Sequence, residues 1–151
     1  MTFSAHERAR ARRYVMQALY QWDLSGTDLP MIRKQFLEAE DFTRADRNYF
    51  IELLKIVPKN IDIVDKNISE FIDRPLEQLD PVERAILRLA TGELLYRADI
   101  PYRVSINEAV QLARKFGAEQ GHTFVNGVLD KVAHKLRAAE CNRNGEQATG
   151  R

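Results

Sequence analysis

Residues 106–133 read INEAVQLARKFGAEQGHTFVNGVLDKVA, and this stretch decides the fold of the chain. Its apolar residues recur at the spacing of one buried helix face, first up to Phe116 and then again from Val125 onward. Gly117 lies between the two patterns, where a glycine in the left-handed conformation commonly ends a helix. The stretch therefore predicts two amphipathic helices joined by a short turn.

The helical period also runs through the earlier part of the chain. Ser4 and Glu7 have the spacing of a capping box, which predicts a helix that begins there and ends at about Leu24. Further helices are expected at about 29–40, 43–57, 61–72 and 80–97, with a kink or interruption at Pro58. No stretch alternates apolar and polar residues as a strand does.

The predicted architecture is all-α, with two packed helical bundles of about seven helices forming one compact domain over residues 1–138. The bundles cover about 1–72 and 76–138, and segment 73–79, which contains Pro75, is the expected hinge. The tail 139–151 is polar, contains glycine and lacks a helical period, so we expect it to be mobile. A chain of 151 residues suits a single domain, which buries ~70% of its unfolded surface.

Composition narrows the class of protein. Hydrophobic residues make up 44% and charged residues 30%, while the net charge of +1 creates no global field that would attract nucleic acid. Cys141 is the single cysteine, which excludes an intramolecular disulfide and a cysteine-rich metal site and suits a reducing cytoplasm. No apolar run approaches the ~20 residues that a membrane span needs.

The chain carries no constellation typical of an enzyme. Its histidines, His6, His122 and His134, do not lie at ligand spacing to one another or to the cysteine. It has neither a glycine-rich phosphate loop nor a nucleophile elbow. Glu93 lies in an apolar stripe, where a lone carboxylate usually pairs with an arginine or the backbone. We therefore expect no enzymatic activity, no cofactor and no metal.

Two features instead suit a single-stranded nucleic acid. Between Arg8 and Trp22 there is no acidic residue, but there are four arginines, a residue type that makes planar contacts to phosphate: Arg8, Arg10, Arg12 and Arg13. In the last predicted helix, Phe124 projects off the apolar stripe on the same flank as Lys131 and Lys135, and a ring beside cations suits stacked bases. A solvated arginine face and a ring at the core edge are the alternatives.

The longer motifs of the chain resemble the NusB family of bacterial transcription antitermination factors. The matching segments are INEAVQLARKFG, FVNGVLDKVA, LDPVERAILRLATGELLYRADIPYRVS and ARRYVMQALYQWDLS. They extend from about Arg8 to about Leu136. The resemblance implies a factor that binds box A RNA as a heterodimer with NusE, a small-subunit ribosomal protein. It also implies that the pair helps to assemble an antitermination complex on RNA polymerase during ribosomal RNA transcription.

The resemblance also implies roles for individual residues. It implies that the four N-terminal arginines and the start of the last helix meet in one RNA-binding face, with contributions from Phe124, Lys131 and Gln120. Tyr20 matches a position facing NusE, while Glu77 and Glu83 match acidic positions on the same surface. Gln120 departs from the family, which commonly has an acidic residue there. We hypothesise that the neutral amide reduces repulsion of phosphate and tightens RNA binding.

Other functions fit a NusB-like sequence. The RNA-binding domain at the front of some ribosomal RNA cytosine methyltransferases is similar to NusB, although such an enzyme would continue into a Rossmann domain and this chain ends at Arg151. A helical scaffold that binds only protein is a further alternative. The resemblance implies a monomer in the active complex and leaves open a homodimer of the free protein that hides its RNA-binding face.

Overall fold

Eight α-helices form the framework of the described backbone, residues 4–149 of a computed structural model in which side chains are described for residues 4–143. They are α1 (Ala5–Ser25), α2 (Leu29–Glu38), α3 (Arg47–Lys59), α4 (Ile61–Ser69), α5 (Pro81–Tyr96), α6 (Tyr102–Phe116), α7 (Gly121–Leu136) and α8 (Ala138–Thr149). Short 3₁₀ helices occupy Glu40–Arg44 and Leu76–Gln78. No strand occurs in the described part of the chain, and the predicted all-α class is confirmed.

The sequence predicts several helix starts correctly because caps are local. The Ser4 hydroxyl accepts a hydrogen bond from the Glu7 amide at 3.1 Å, and the Glu7 carboxylate accepts one from the Ser4 amide at 3.3 Å. These bonds satisfy amides that the first turn of a helix leaves unpaired. Asp80 likewise caps α5, since one of its oxygens accepts from the Val82 amide at 2.9 Å.

The turn between α6 and α7 differs from the prediction. Gly117 is extended, with φ −86° and ψ 174°, and the left-handed residue is Gln120, with φ 69°. Gly117 is required for a steric reason instead, because a Cβ there would lie 2.7 Å from the carbonyl oxygen of Ala113. The prediction of a left-handed Gly117 is therefore wrong.

Helix α5 forms the centre of the core. It packs against α1, α3 and α4 of the first predicted bundle and against α6 and α7 of the second. Gly92 permits the close approach to α3, because a Cβ at this position would lie 2.5 Å from a methyl carbon of Val57. A helix with neighbours on most sides must be apolar on most sides, which explains its sequence.

Two ion pairs define the direction of α1 relative to α5. Arg12, early in α1, contacts Glu93, late in α5, with 2.7 Å between the arginine Nε and a carboxylate oxygen. Asp23, late in α1, contacts Arg84, early in α5, at 2.6 Å. The two helices are therefore antiparallel, and the N-terminal half of α1 lies beside the C-terminal half of α5.

Helix α7 runs in the same direction as α5. At its start, a Cβ on Gly121 would lie 3.1 Å from the carboxyl carbon of Glu83, which is in the first turn of α5. Just after its end, the Arg137 guanidinium donates a hydrogen bond to the carbonyl of Leu94 at 2.9 Å. The first turn of α7 therefore lies at the end of α5 that also contacts the last turns of α1.

Two segments have more regular structure than their sequences indicate. The expected hinge 73–79 packs against the core. Leu76 and Leu79 are buried, and the Arg84 guanidinium donates hydrogen bonds to their carbonyls. Residues 139–149 of the expected tail belong to helix α8, in which Cys141 is buried. Residues 150–151 of that tail, and residues 1–3 of the predicted domain, lie outside the described residues.

Candidate nucleic-acid interface

Arg12 belongs to a buried polar cluster rather than to a binding surface. It is 3% exposed, and its Glu93 partner is 1% exposed. The Tyr49 hydroxyl donates to the same Glu93 oxygen, and burial, followed by the Glu93 charge, raises the pKa of Tyr49, so the hydroxyl keeps its proton. A buried carboxylate needs such partners, as the sequence predicted for Glu93. The prediction that Arg12 contacts RNA is wrong because its guanidinium has no open face.

The other N-terminal arginines reach the surface. Arg8 is half-exposed, with its guanidinium carbon 4.4 Å from the centre of the Tyr49 ring and its Nε 3.7 Å from Asp46. Arg10 is exposed, and Arg13 is half-buried beside Tyr14, whose hydroxyl accepts a hydrogen bond from it at 3.3 Å. These three arginine side chains are therefore at least partly exposed.

Arg10 and Arg13 line a polar groove of about 390 Å³, here called the arginine groove. Its opposite wall is the 3₁₀ helix after α2, and the lining is completed by Tyr14, Glu40, Asp41, Thr43 and Arg44. Arg44, the last residue of this 3₁₀ helix, is a cation that the sequence did not single out, because it lies among residues of mixed charge. The groove thus joins three guanidinium groups with two carboxylates, which favour one orientation of a bound polyanion.

Phe124 lines a second groove, of about 350 Å³, here called the aromatic groove. The ring is half-buried, packs against the edge of the core and also lines the groove. Lys131 lies on the same wall, and the facing wall is formed by Phe71, Ile72, Asp73 and Arg74. The structure therefore brings Phe124 and Lys131 together as predicted. Lys135 is instead paired with Glu70 at 2.7 Å.

Arg74 is the residue of this groove that sequence reasoning missed. Its guanidinium carbon lies 5.7 Å from the centre of the Phe124 ring, within the range of a cation–π contact. The side chain is half-exposed and also contacts Asp73 at 3.1 Å. The sequence predicted segment 73–79 only as a hinge, and the contact joins two residues that lie 50 positions apart in the chain.

The two grooves are lined by different residues and lie at different positions along α5. Along the axis of α5, the arginine groove lies near Glu93, beside the N-terminal half of α1. Phe124 lies near Glu83, at the other end of α5. Ten residues of helix separate these positions, which is roughly 15 Å along the axis of α5. This offset arises because α1 and α7 run in opposite directions along α5.

The predicted partner residues Tyr20 and Glu77 lie at the same end of α5 as the aromatic groove. Tyr20 is 38% exposed on the outward face of α1, and Glu77 is exposed on the 3₁₀ helix that Arg84 holds near Asp23. Glu83 differs, since it is 8% exposed and faces the start of α7.

The surroundings of Glu83 explain why it is not a surface residue. Burial, followed by the charge of Asp80, raises the pKa of its carboxyl group, and Arg74 opposes this shift. The prediction that Glu83 is an exposed contact for the partner is therefore wrong. Its carboxylate instead occupies the space that the missing side chain of Gly121 leaves open.

Gln120 is exposed immediately before the first turn of α7. Its carbonyl accepts the amide of Phe124 at 3.4 Å, so the two residues are linked through the backbone. Helix N-termini attract anions because their free amides and the helix dipole point outward. A neutral side chain at this position leaves that attraction unopposed.

The described residues contain no group of three or more histidine, cysteine or acidic side chains arranged to hold a metal ion. None of the described helices is both long and apolar enough to cross a bilayer. The helical framework and the grooves define a class: an all-α protein with one surface groove lined by arginines and another lined by an aromatic ring and two cations.

Comparison with known proteins identifies the family within this class. Residues 9–134 match the model of the NusB family, and the chain belongs to that family. The "Transcription antitermination protein NusB" of Nitrosococcus oceani is 49% identical over 136 residues, covering 90% of this chain and 91% of that protein. The protein of the same name from Shewanella pealeana is 50% identical over 126 residues, covering 83% and 93%. These relatives are named as antitermination factors and not as enzymes.

Solved structures support the same assignment. The T. maritima NusB structure is similar with a TM-score of 0.75 and 33% identity, covering 87% of this chain and 92% of that chain. A structure described as the antitermination factors NusB and NusE in complex with double-stranded RNA is similar with a TM-score of 0.74 and 25% identity. That similarity covers 87% of this chain and 99% of the other.

Proposed function

We propose that this protein is a transcription antitermination factor that binds box A RNA together with NusE. The pair helps to assemble the antitermination complex on RNA polymerase during ribosomal RNA transcription, in the cytoplasm. The observation that carries the proposal is the aromatic groove, where Phe124, Arg74 and Lys131 offer a ring and two cations to an unpaired nucleotide. A NusB relative has been solved with NusE and RNA, which supports the choice of partners.

The two grooves make different kinds of contact with RNA. Phosphate contacts position a strand without reading it, whereas stacking and base-edge contacts select unpaired bases. Arg10 and Arg13 hold the backbone in the arginine groove, and Phe124 stacks a base in the aromatic groove. Because the grooves are separated along α5, one single strand of several nucleotides must extend from one to the other.

NusE occupies the surface around Tyr20 and Glu77. Tyr20 offers a large apolar area with a polar tip, as interface tyrosines do. The negative charge of Glu77 attracts a basic partner. RNA is contacted in the neighbouring aromatic groove instead. Since this surface lies at the same end of α5 as the aromatic groove, a strand in that groove can contact NusE as well. RNA and NusE then strengthen each other's binding by linkage, with a monomer of this chain in the active complex.

The test is titration of a box A oligonucleotide with and without NusE at several salt concentrations. Arg10→Ala with Arg13→Ala should lower the salt slope by about 0.7 per lost phosphate contact and leave NusE association unchanged. Tyr20→Asp should weaken NusE association and leave the slope for RNA alone unchanged. Lys34→Ala with Lys66→Ala is the matched control, because both lysines are exposed and lie outside the two grooves.

Equal loss of both activities in either test variant would contradict separate surfaces. Absence of RNA binding with and without NusE would favour a scaffold that binds only protein. Sedimentation of the free protein, with and without RNA, decides whether a homodimer covers the RNA-binding face.

A further inference from the structure

A third groove, away from the surfaces proposed for RNA and NusE, lies between α1, α2 and the second half of α3. It has a volume of about 280 Å³, and its floor is apolar: Trp22, Leu29, Pro30, Ile51, Leu54 and Pro58. Trp22, Leu29 and Ile51 are only half-buried, so the floor remains partly open to solvent. The groove is here called the tryptophan groove.

The rim of the tryptophan groove is positively charged. It consists of Arg33 on α2 and of Lys55 and Lys59, one turn apart on α3. All three are exposed, and none forms an ion pair or a side-chain hydrogen bond within the described residues. No acidic residue lines the groove. Within the described residues, the apolar floor is therefore left partly uncovered, and no carboxylate neutralises the cationic rim.

The location of Trp22 separates this groove from the proposed NusE surface. Two residues of helix correspond to a rotation of roughly 200°, so Trp22 and Tyr20 point to nearly opposite sides of α1. Tyr20 accordingly faces solvent while Trp22 packs against the core beside α2 and α3. A ligand of the tryptophan groove can bind while NusE occupies the other side.

Volume and chemistry select the kind of ligand. Pockets that enclose a small molecule usually have about 300–1,000 Å³, so this groove suits one or two inserted side chains better. RNA is disfavoured because the lining has no uncharged hydrogen-bonding side chain to meet base edges, apart from the indole N–H. We propose that the tryptophan groove binds an acidic amphipathic helix of a protein partner. Leucine or phenylalanine anchors of that helix enter the floor, and flanking glutamates contact the rim.

The experiment uses the full chain, whose single tryptophan is a built-in reporter. The probe is a synthetic helical peptide with Leu and Phe four residues apart and glutamates on the flanking positions. We expect a saturable change in Trp22 fluorescence that persists when NusE is bound. Lys55→Glu with Lys59→Glu should weaken binding at least about tenfold, because two attractive contacts become repulsive. Lys66→Glu with Lys115→Glu, an equal charge change outside the groove, should leave binding unchanged.

Two further probes decide between ligand classes. A peptide with alanine in place of Leu and Phe should not bind, and a peptide with lysine in place of glutamate should bind at least about tenfold more weakly. No saturable signal with the acidic peptide overturns the proposal. An equal loss in both double variants also overturns it, as does displacement of the peptide by a short single-stranded RNA, which would assign the groove to nucleic acid.

Discussion

Replacing Arg12 with methionine tests whether this arginine holds the fold together or contacts RNA. The guanidinium is 3% exposed and lies 2.7 Å from a Glu93 oxygen. Removing one partner of a buried ion pair leaves an uncompensated charge, which costs about 3–5 kcal/mol. Because the Tyr49 hydroxyl still donates to the same carboxylate, we expect a loss of about 3 kcal/mol, at the lower end of that range.

The effect is large relative to the stability of one domain. Single domains unfold with a free energy of about 5–15 kcal/mol. At about 2–4 °C per kcal/mol for a chain of this size, the melting temperature of Arg12→Met should fall by roughly 6–12 °C. Urea unfolding followed by far-UV circular dichroism measures the loss. Arg10→Met is the matched control, because Arg10 is exposed and a surface change should shift stability by about 0.5 kcal/mol or less.

RNA titration of the same two variants completes the test. Folded Arg12→Met should keep the wild-type salt slope, while Arg10→Met should lose about 0.7 of slope. Adding Glu93→Gln to Arg12→Met should recover part of the stability, because the buried charge is gone and the glutamine oxygen can still accept from Tyr49. The reasoning is refuted if Arg12→Met unfolds at the wild-type urea concentration and binds RNA with a reduced slope.

Four further changes probe the neighbouring sites. Phe124→Leu should weaken single-stranded RNA binding by about 1–3 kcal/mol without altering the salt slope. Arg74→Ala should weaken binding and also lower the salt slope. Fluorescence anisotropy of a labelled RNA at several salt concentrations distinguishes these outcomes. Gln120→Glu should reduce RNA affinity most at low salt, and unchanged affinity would contradict the proposed relief of repulsion. Glu83→Gln should remove a pH dependence of stability. Since folding raises the pKa of Glu83 above its ordinary value of 4.5, its favourable contribution is complete below that value and declines as the pH rises through the folded pKa. Urea unfolding from pH 4 to 7 should therefore show a steeper decline for wild type than for Glu83→Gln, and parallel curves would contradict the assignment.

The helices could be predicted from the sequence because their signals are local. The capping box at Ser4 and the Asp80-Pro81 start act within one turn, and the apolar period marks each buried face. The turn before α7 was harder, since whether Gly117 or Gln120 takes the left-handed conformation depends on how α6 and α7 pack. The helix at 138–149 was missed because this part of the sequence is polar and shows no clear apolar period.

The candidate site was predictable only in part, since residue type does not reveal burial. Arg12 and Arg10 look alike in the sequence, yet one is paired with Glu93 inside the core and the other is exposed. Glu83 looked like a surface carboxylate because a first-turn glutamate usually is one. Its burial depends on Gly121, which is 38 positions later and leaves room for it.

The amino-acid sequence by itself determined that this chain is helical, where most helices begin, and to which family it belongs, because caps, periods and long motifs are properties of neighbouring residues. Only the tertiary structure decided that Arg74 joins Phe124, that Arg12 is internal, and that the two grooves lie at different positions along α5. Those outcomes depend on the antiparallel packing of α1 and the parallel packing of α7 on α5, which brings together residues far apart in the chain.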